Sequence, residues 1–170
     1  MSLAIDTAQR LIASINAIAQ ANTALGVLAQ EQRKAISKMD SARVGAIVAQ
    51  QREVGHALAD AEESRRREVA ALCRVLGLPA SASINDVCRA IGAHDKQLGQ
   101  SLRTAADEAR KSILACQREQ RVVQAAATGV MAHLDGLARQ VLARVNRAGL
   151  YAATGALACG NSPRGVDLVS

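Results

Sequence analysis

The sequence predicts an all-α protein, a long antiparallel helical hairpin or coiled-coil-like bundle with a short connector helix and a flexible C-terminal tail. Three observations predict this fold. Alanine, the strongest helix former, is the commonest residue, only two prolines interrupt the 170 residues, and apolar residues recur in steps of four and three. With one tyrosine and neither phenylalanine nor tryptophan, the core has to be thin and the helix backbones close together.

The first helical tract, about residues 3–76, carries a heptad seam of the kind that packs against a partner helix. Its positions are Leu11, Ile15, Ile18, Asn22, Leu25, Ala29, Gln32, Ile36, Met39, Arg43 and Ala46, then more loosely Val54, Leu58, Ala61, Val69, Leu72 and Leu76. Asp40 and Ser41 could end one helix and cap the next. Gly77 and Pro79 end the tract, because glycine terminates a helix and proline prevents its resumption.

Two further elements follow. Ser83 and Asp86 have the spacing of a capping box, which predicts a connector helix over about 83–91 whose apolar face plugs the end of the bundle. The second tract, about 95–149, has a more regular seam that predicts left-handed winding against the first tract. That seam comprises Ala109, Ile113, Cys116, Gln120, Val123, Ala127, Val130, Leu134, Leu137, Val141, Arg144 and Ala148. We expect one domain over 1–155 and a disordered tail over 156–170.

Charge and composition disfavour nucleic-acid and membrane partners. The net charge of +6 is spread along the chain, the densest run, Arg65 to Arg67, is flanked by glutamates, and stacking aromatics are absent. The most apolar window, from Leu11 to Ala29, contains too many polar residues for us to expect membrane insertion. The first residues lack the pattern of a signal peptide, so we expect a cytoplasmic protein with reduced thiols.

No pattern in the sequence predicts a catalytic residue, a cofactor or a metal site. The four cysteines lack zinc-ligand spacing, the one Glu-x-x-His match at Glu53 and His56 stands alone, and no glycine loop precedes a helix in a phosphate-binding pattern. Three cysteines fall at apolar positions and are expected to be small buried residues: Cys73, Cys88 and Cys116. Cys159 falls in the predicted tail.

The end of the second tract carries surplus apolar residues. Leu142, Val145 and Leu150 lie off the seam, so a single hairpin interface cannot bury them. They either complete a three- or four-helix core or bind a helix of a partner protein. Tyr151, the one aromatic residue, follows the second tract. An aromatic residue far from other large side chains is typical of an exposed residue that binds a partner protein.

The order of several short motifs is similar to that of FlgN-type flagellar export chaperones. The similar segments are Leu28-Ala29-Gln30-Glu31-Gln32-Arg33-Lys34-Ala35-Ile36 with Asp40, Ile47, Gln51 and Leu58, then Glu62-Glu63-Ser64-Arg65-Arg66, Leu72-x-x-x-Leu76-Gly77-Leu78, Ser83-Ile84-x-Asp86-Val87, and Tyr151-Ala152-Ala153-Thr154-Gly155.

The resemblance implies a cytoplasmic chaperone of the flagellar type III secretion system that binds hook-associated proteins and delivers them to the export gate. In that family the client binds the end of the second long helix and the tail. Within this region we choose Leu142, Val145 and Leu150 as candidate client contacts because they are apolar and lie off the seam. The family's tyrosine docks on the cytoplasmic domain of the export gate, which makes Tyr151 the candidate here. The expected state is a monomer or homodimer. A self-assembling coiled-coil scaffold and a basic nucleic-acid-binding bundle are the alternatives.

Overall fold

The computed structural model describes residues 2–79 and 81–149, and the side chains of residues 3–79 and 81–144. It contains four helices, α1 (Ser2–Ser37), α2 (Ser41–Leu76), α3 (Ile84–His94) and α4 (Lys96–Gly149), and no strand in the described part. The all-α prediction is confirmed. The chain up to Ala127 forms one compact unit, and residues from Thr128 belong to a second. The extent of the domain, 1–155, stays a prediction, and the tail over 156–170 lies outside the described residues.

The first tract divides at the position that the sequence favours. Asp40 is the N-cap of α2, and its Oδ1 accepts a hydrogen bond from the Arg43 backbone N–H at 2.9 Å. Met39, in the turn between the helices, has a φ of 54°, a left-handed conformation that a non-glycine residue seldom adopts. This turn reverses the chain, so that α2 packs antiparallel to α1.

Polar side chains link α1 and α2 at three levels of the hairpin. Arg43 pairs with Glu31 at 2.7 Å near the turn, and Gln51 donates a hydrogen bond to Gln32 at 3.0 Å. At the opposite end of the hairpin, Arg10 pairs with Glu68 at 3.3 Å. Two of the predicted polar seam residues, Gln32 and Arg43, therefore bond across the helix pair. The third, Asn22, is buried and donates instead to the Ile18 carbonyl of its own helix.

Helix α3 closes one end of the helical core, as predicted. The Ser83 hydroxyl accepts from the Asp86 backbone N–H at 3.3 Å, and the Asp86 carboxylate accepts from the Ser83 backbone N–H at 3.0 Å, which forms the expected capping box. A single residue, Asp95, joins α3 to α4, and its carboxylate accepts from the Leu98 backbone N–H at 2.9 Å. Three apolar residues of α3 enter the core: Val87, Cys88 and Ile91.

The core is built from small and medium side chains of all four helices. It consists of Ala8, Leu11, Ile15, Leu72, Cys73, Val87, Cys88, Ile91, Leu102, Ala105 and Ala109. The backbones of α3 and α4 approach closely at a pair of glycines: an added Cβ at Gly99 of α4 would lie 2.7 Å from the Cα of Gly92 in α3. This close approach compensates for the absence of large side chains, since packing density rather than side-chain size determines dispersion contacts.

Helix α1 is long and apolar enough, from Leu3 to Ser37, to cross a membrane by length and composition alone. Core helices of water-soluble proteins often meet the same criteria, and α1 buries one face in the core described above. The polar residues on its buried face are satisfied by their own helix: Thr7 donates to the Leu3 carbonyl at 2.7 Å and Ser14 to the Leu11 carbonyl at 2.9 Å.

Two parts of the predicted seams are wrong. Met39, Arg43 and Ala46 are exposed, because α1 ends at Ser37 and the heptad period stops there; Ile47 takes the buried position in α2 instead. In α4 the seam is buried at Ala109 and Cys116 only. Beyond Cys116 no residue whose side chain is described is buried, so the expected packing against the first tract does not extend along the whole helix.

Candidate functional site

Helix α4 is longer than the other helices. It contains 54 residues, whereas α1 and α2 contain 36 each. At about 1.5 Å per residue, α4 is roughly 80 Å long and each of the others roughly 55 Å. The heptad seam of α4 is therefore longer than the whole of α1 or α2.

The part of α4 from residue 130 to residue 142 carries an exposed apolar surface, which we name the C-terminal stripe. It consists of Val130, Met131, Leu134, Leu137, Ala138, Val141 and Leu142. Val130 is half-buried, and Ala138 is exposed. The exposed fractions of the five remaining side chains are 63% for Met131, 47% for Leu134, 44% for Leu137, 59% for Val141 and 61% for Leu142.

Exposed apolar residues are concentrated in this stripe. Among the described residues, eleven large hydrophobic side chains are exposed, and five of them lie between Met131 and Leu142. The other six are distributed over the rest of the chain: Leu3, Val27, Met39, Val75, Leu114 and Val122. Single exposed hydrophobic residues are normal on protein surfaces, but a contiguous row marks a site for a protein partner.

The opposite face of the same segment is small and polar. Ala132, Gly136, Arg139 and Ala143 occupy it, and an added Cβ at Gly136 would contact nothing within 4 Å. The separation of large apolar residues from small and polar ones is that of an amphipathic helix, whose apolar face packs on other helices. The segment is therefore suited to binding helices and carries none of the polar convergence of a catalytic pocket.

The thiols of the core are structural. Cys73, Cys88 and Cys116 are buried, as the sequence predicts, and none of these three forms a disulfide. Burial raises the pKa of the Cys88 thiol, an effect opposed by the nearby cation of Arg103, and burial also raises the pKa of Cys116. A raised pKa keeps a thiol protonated and unreactive at neutral pH. Cys159 lies outside the described residues. In the described part, no group of three or more residues could hold a metal ion.

The family comparison agrees with the resemblance in the sequence. The profile of the family described as FlgN protein matches residues 1–158. The chain belongs to the FlgN family. FlgN proteins are flagellar export chaperones and not enzymes, which accords with a surface that offers apolar contacts. No curated protein and no solved structure matches the chain.

The residues predicted from the sequence as the FlgN client surface lie only partly within the described region. Leu142 is exposed on α4, in the C-terminal stripe. Val145 belongs to α4, but its side chain is outside the described set, and Leu150 and Tyr151 lie outside the described residues altogether. The roles of all four residues stay predictions.

Sequence reasoning missed most of the stripe. The sequence pattern places Leu134, Leu137 and Val141 in the seam that faces the first tract, and Met131 lies off that seam. The break at Asp40 is the signal in the sequence that indicates this surface. It divides the first tract into two helices, each of which is shorter than the second tract.

Proposed function

We propose that this chain is a cytoplasmic flagellar export chaperone that binds hook-associated proteins, which join the hook to the filament, and delivers them to the type III export gate. The observation that supports the proposal is the C-terminal stripe, a row of exposed apolar residues on a member of the FlgN family. No catalytic step is part of this function. The chaperone shields the client's apolar helices until they are exported.

Client capture follows from the physical chemistry of the stripe. An amphipathic helix of a client would cover the exposed part of these side chains. Because the stripe residues are about half exposed, covering each one contributes roughly half of the 1.5–3 kcal/mol that burial of a fully exposed side chain gives. Several such contributions together oppose the cost of association. We place Leu142, Val145 and Leu150 in this client surface.

The first test compares two substitutions on opposite faces of the same helical turn. Val141→Asp introduces a charge into the stripe, whereas Ala143→Asp introduces the same charge on the exposed opposite face. We expect Val141→Asp to weaken binding of a purified hook-filament junction protein at least tenfold, because burying the carboxylate or losing the apolar contact costs more than about 1.4 kcal/mol. Ala143→Asp should bind normally; equal loss in both variants would contradict the proposal.

The second test separates client binding from folding. Removing residues 128–170, which include the whole C-terminal stripe, should leave the mean helicity per residue and the melting temperature nearly unchanged, because all buried residues in the described part lie at or before Cys116. The same truncation should abolish client binding. Loss of the fold on truncation would argue against a client-binding role for this segment. In a separate measurement, progressive self-assembly of the full chain in light scattering would favour a coiled-coil scaffold.

Docking on the export gate is assigned to Tyr151. Tyrosine combines a large apolar ring with a hydroxyl that can donate a hydrogen bond, which makes it a frequent anchor at protein interfaces. We expect Tyr151→Ala to retain client binding and to lose affinity for the cytoplasmic domain of the gate. If client and gate binding fall together, Tyr151 is a client contact or a structural residue.

A further inference from the structure

The width of the C-terminal stripe indicates how many helices it can hold. Successive residues of an α-helix are rotated by about 100° around the helix axis. The stripe therefore covers an arc of about 140° around α4. Leu137 lies at one edge of this arc, Leu134 near its centre and Leu142 at the other edge. A two-stranded coiled coil uses a narrower seam, whereas a helix in a bundle of three or more uses a third apolar position in each heptad. Met131 and Ala138 occupy that third position.

We propose that the C-terminal stripe binds two helices of one client side by side, one along the Leu137 edge and the other along the Leu142 edge. This inference rests on the proposed function, because it specifies the form of the client that the stripe receives. One client helix would cover one edge and leave large side chains of the other edge in water. Two adjacent client helices cover both edges and complete a three-helix bundle with α4.

The charges next to the two edges differ, and they specify the chemistry of each client helix. Arg144 lies beyond the Leu137 edge, and Asp135 lies beyond the Leu142 edge. Both side chains are exposed, and Arg144 forms no ion pair with the described residues. The client helix on the Leu137 edge therefore carries carboxylates beside its apolar residues, and the helix on the Leu142 edge carries neutral or basic residues there.

The same charges disfavour a second copy of this chain as the occupant. A two-fold interface joins the same patch of both copies. Pairing through the Leu137 edge would bring two Arg144 side chains into one interface, and pairing through the Leu142 edge would bring two Asp135 carboxylates into one interface. Like charges in a partly desolvated interface weaken association.

Site-specific photocrosslinking tests the proposal. Two pairs of neighbouring residues place one member toward each edge at the same height of the helix: Val130 with Met131, and Val141 with Leu142. Each is replaced in turn by p-benzoylphenylalanine in the full chain, which is then irradiated in complex with a purified hook-filament junction protein. The crosslinked client peptides are identified by mass spectrometry. The same replacement at Ala143, on the opposite face, is the control.

We expect Val130 and Val141 to crosslink to one client helix, and Met131 and Leu142 to a different one. Crosslinks from all four positions to a single client helix would overturn the proposal and leave client binding by the stripe intact. Adducts between two copies of this chain, in place of client adducts, would assign the stripe to self-association. No adduct at any stripe position would contradict both this proposal and the proposed function.

Charge reversal provides a second readout. Arg144→Glu should weaken client binding about tenfold and reduce its salt dependence, because it opposes the carboxylates of the client helix on the Leu137 edge. Arg139→Glu makes the same change on the opposite face and should bind as the unaltered chain does. Tighter binding by Arg144→Glu would mean that this edge meets a basic helix and would overturn the assigned charge.

Discussion

Replacing Gly99 by alanine should destabilise the fold because of a close crossing between α3 and α4. A Cβ added at Gly99 would lie 2.7 Å from the Cα of Gly92, 2.9 Å from its nitrogen and 3.0 Å from the Cys88 carbonyl oxygen. All three atoms belong to the backbone, so no side-chain rotation can relieve the overlap. Overpacking of this kind costs about 1–3 kcal/mol, and the better helix propensity of alanine offsets about 1 kcal/mol of it. Because all three overlapping atoms are backbone atoms, the cost lies in the upper part of that range, about 2–3 kcal/mol, and the net free energy of unfolding should fall by about 1–2 kcal/mol.

The other glycine of the crossing provides the control. An added Cβ at Gly92 would meet only the Cα of Gly99, at 4.0 Å, which is an ordinary van der Waals contact. Gly92→Ala should therefore be neutral or raise the stability by up to about 1 kcal/mol through helix propensity. The two substitutions make the same chemical change on opposite sides of one contact, and the structure predicts opposite signs for them.

Thermal unfolding followed by circular dichroism, with urea titrations for the free energies, measures the difference. For a chain of this length, 1 kcal/mol corresponds to about 2–4 °C in melting temperature. Gly99→Ala should melt several degrees below Gly92→Ala. If Gly99→Ala is as stable as the unaltered chain, or if both variants lose stability equally, the asymmetric crossing is refuted.

Three further predictions concern the core, the cap of α3 and the thiols. Leu102→Ala should lower the free energy of unfolding by about 2–5 kcal/mol in urea titrations, because Leu102 is fully buried in the core; a change under 1 kcal/mol would contradict that packing. Hydrogen bonds from the Ser83 hydroxyl and from the Ser83 backbone N–H hold the pKa of Asp86 below 3.8, the ordinary value of an aspartate, and nearby Arg89 lowers it further by a smaller amount. The contribution of this cap is therefore present above that value and is lost as the pH falls through the lowered pKa; Asp86→Asn should remove this pH dependence, and an unchanged acid transition would contradict it. In a Cys159→Ser background, a thiol reagent at pH 8 should label the protein only as fast as it unfolds, and rapid labelling of the native state would contradict burial of the remaining cysteines, Cys73, Cys88 and Cys116.

Local signals in the sequence predict the helix boundaries well. Asp40, Gly77 and the pair Ser83 and Asp86 are short-range features whose chemistry depends on neighbouring residues only, and each has the predicted role. Gly77 ends α2 with a φ of 65°, and its backbone N–H donates to the Cys73 carbonyl. Such caps are independent of tertiary packing, so sequence alone can identify them.

The extent of the core could not be predicted in the same way. The heptad pattern of α4 is equally regular at Ala109, which is buried, and at Val141, which is exposed. Periodicity shows which face of a helix is apolar, and it does not show what covers that face. The exposure of Val141 depends on which segments pack near it, and the sequence pattern does not encode that.

The polar links between α1 and α2 also determine the alignment of the hairpin. Several buried side chains of the two helices are small, among them Ala8, Ala29 and Ala61, so shape complementarity alone opposes a shift by one heptad less strongly than large side chains would. In such a shifted pairing Arg43 would lie opposite Lys38, and Gln32 would lie opposite Leu58. A surface ion pair contributes only about 0–1 kcal/mol to stability. Its larger effect here is to penalise misaligned forms of the hairpin, which would otherwise compete with the native one during folding.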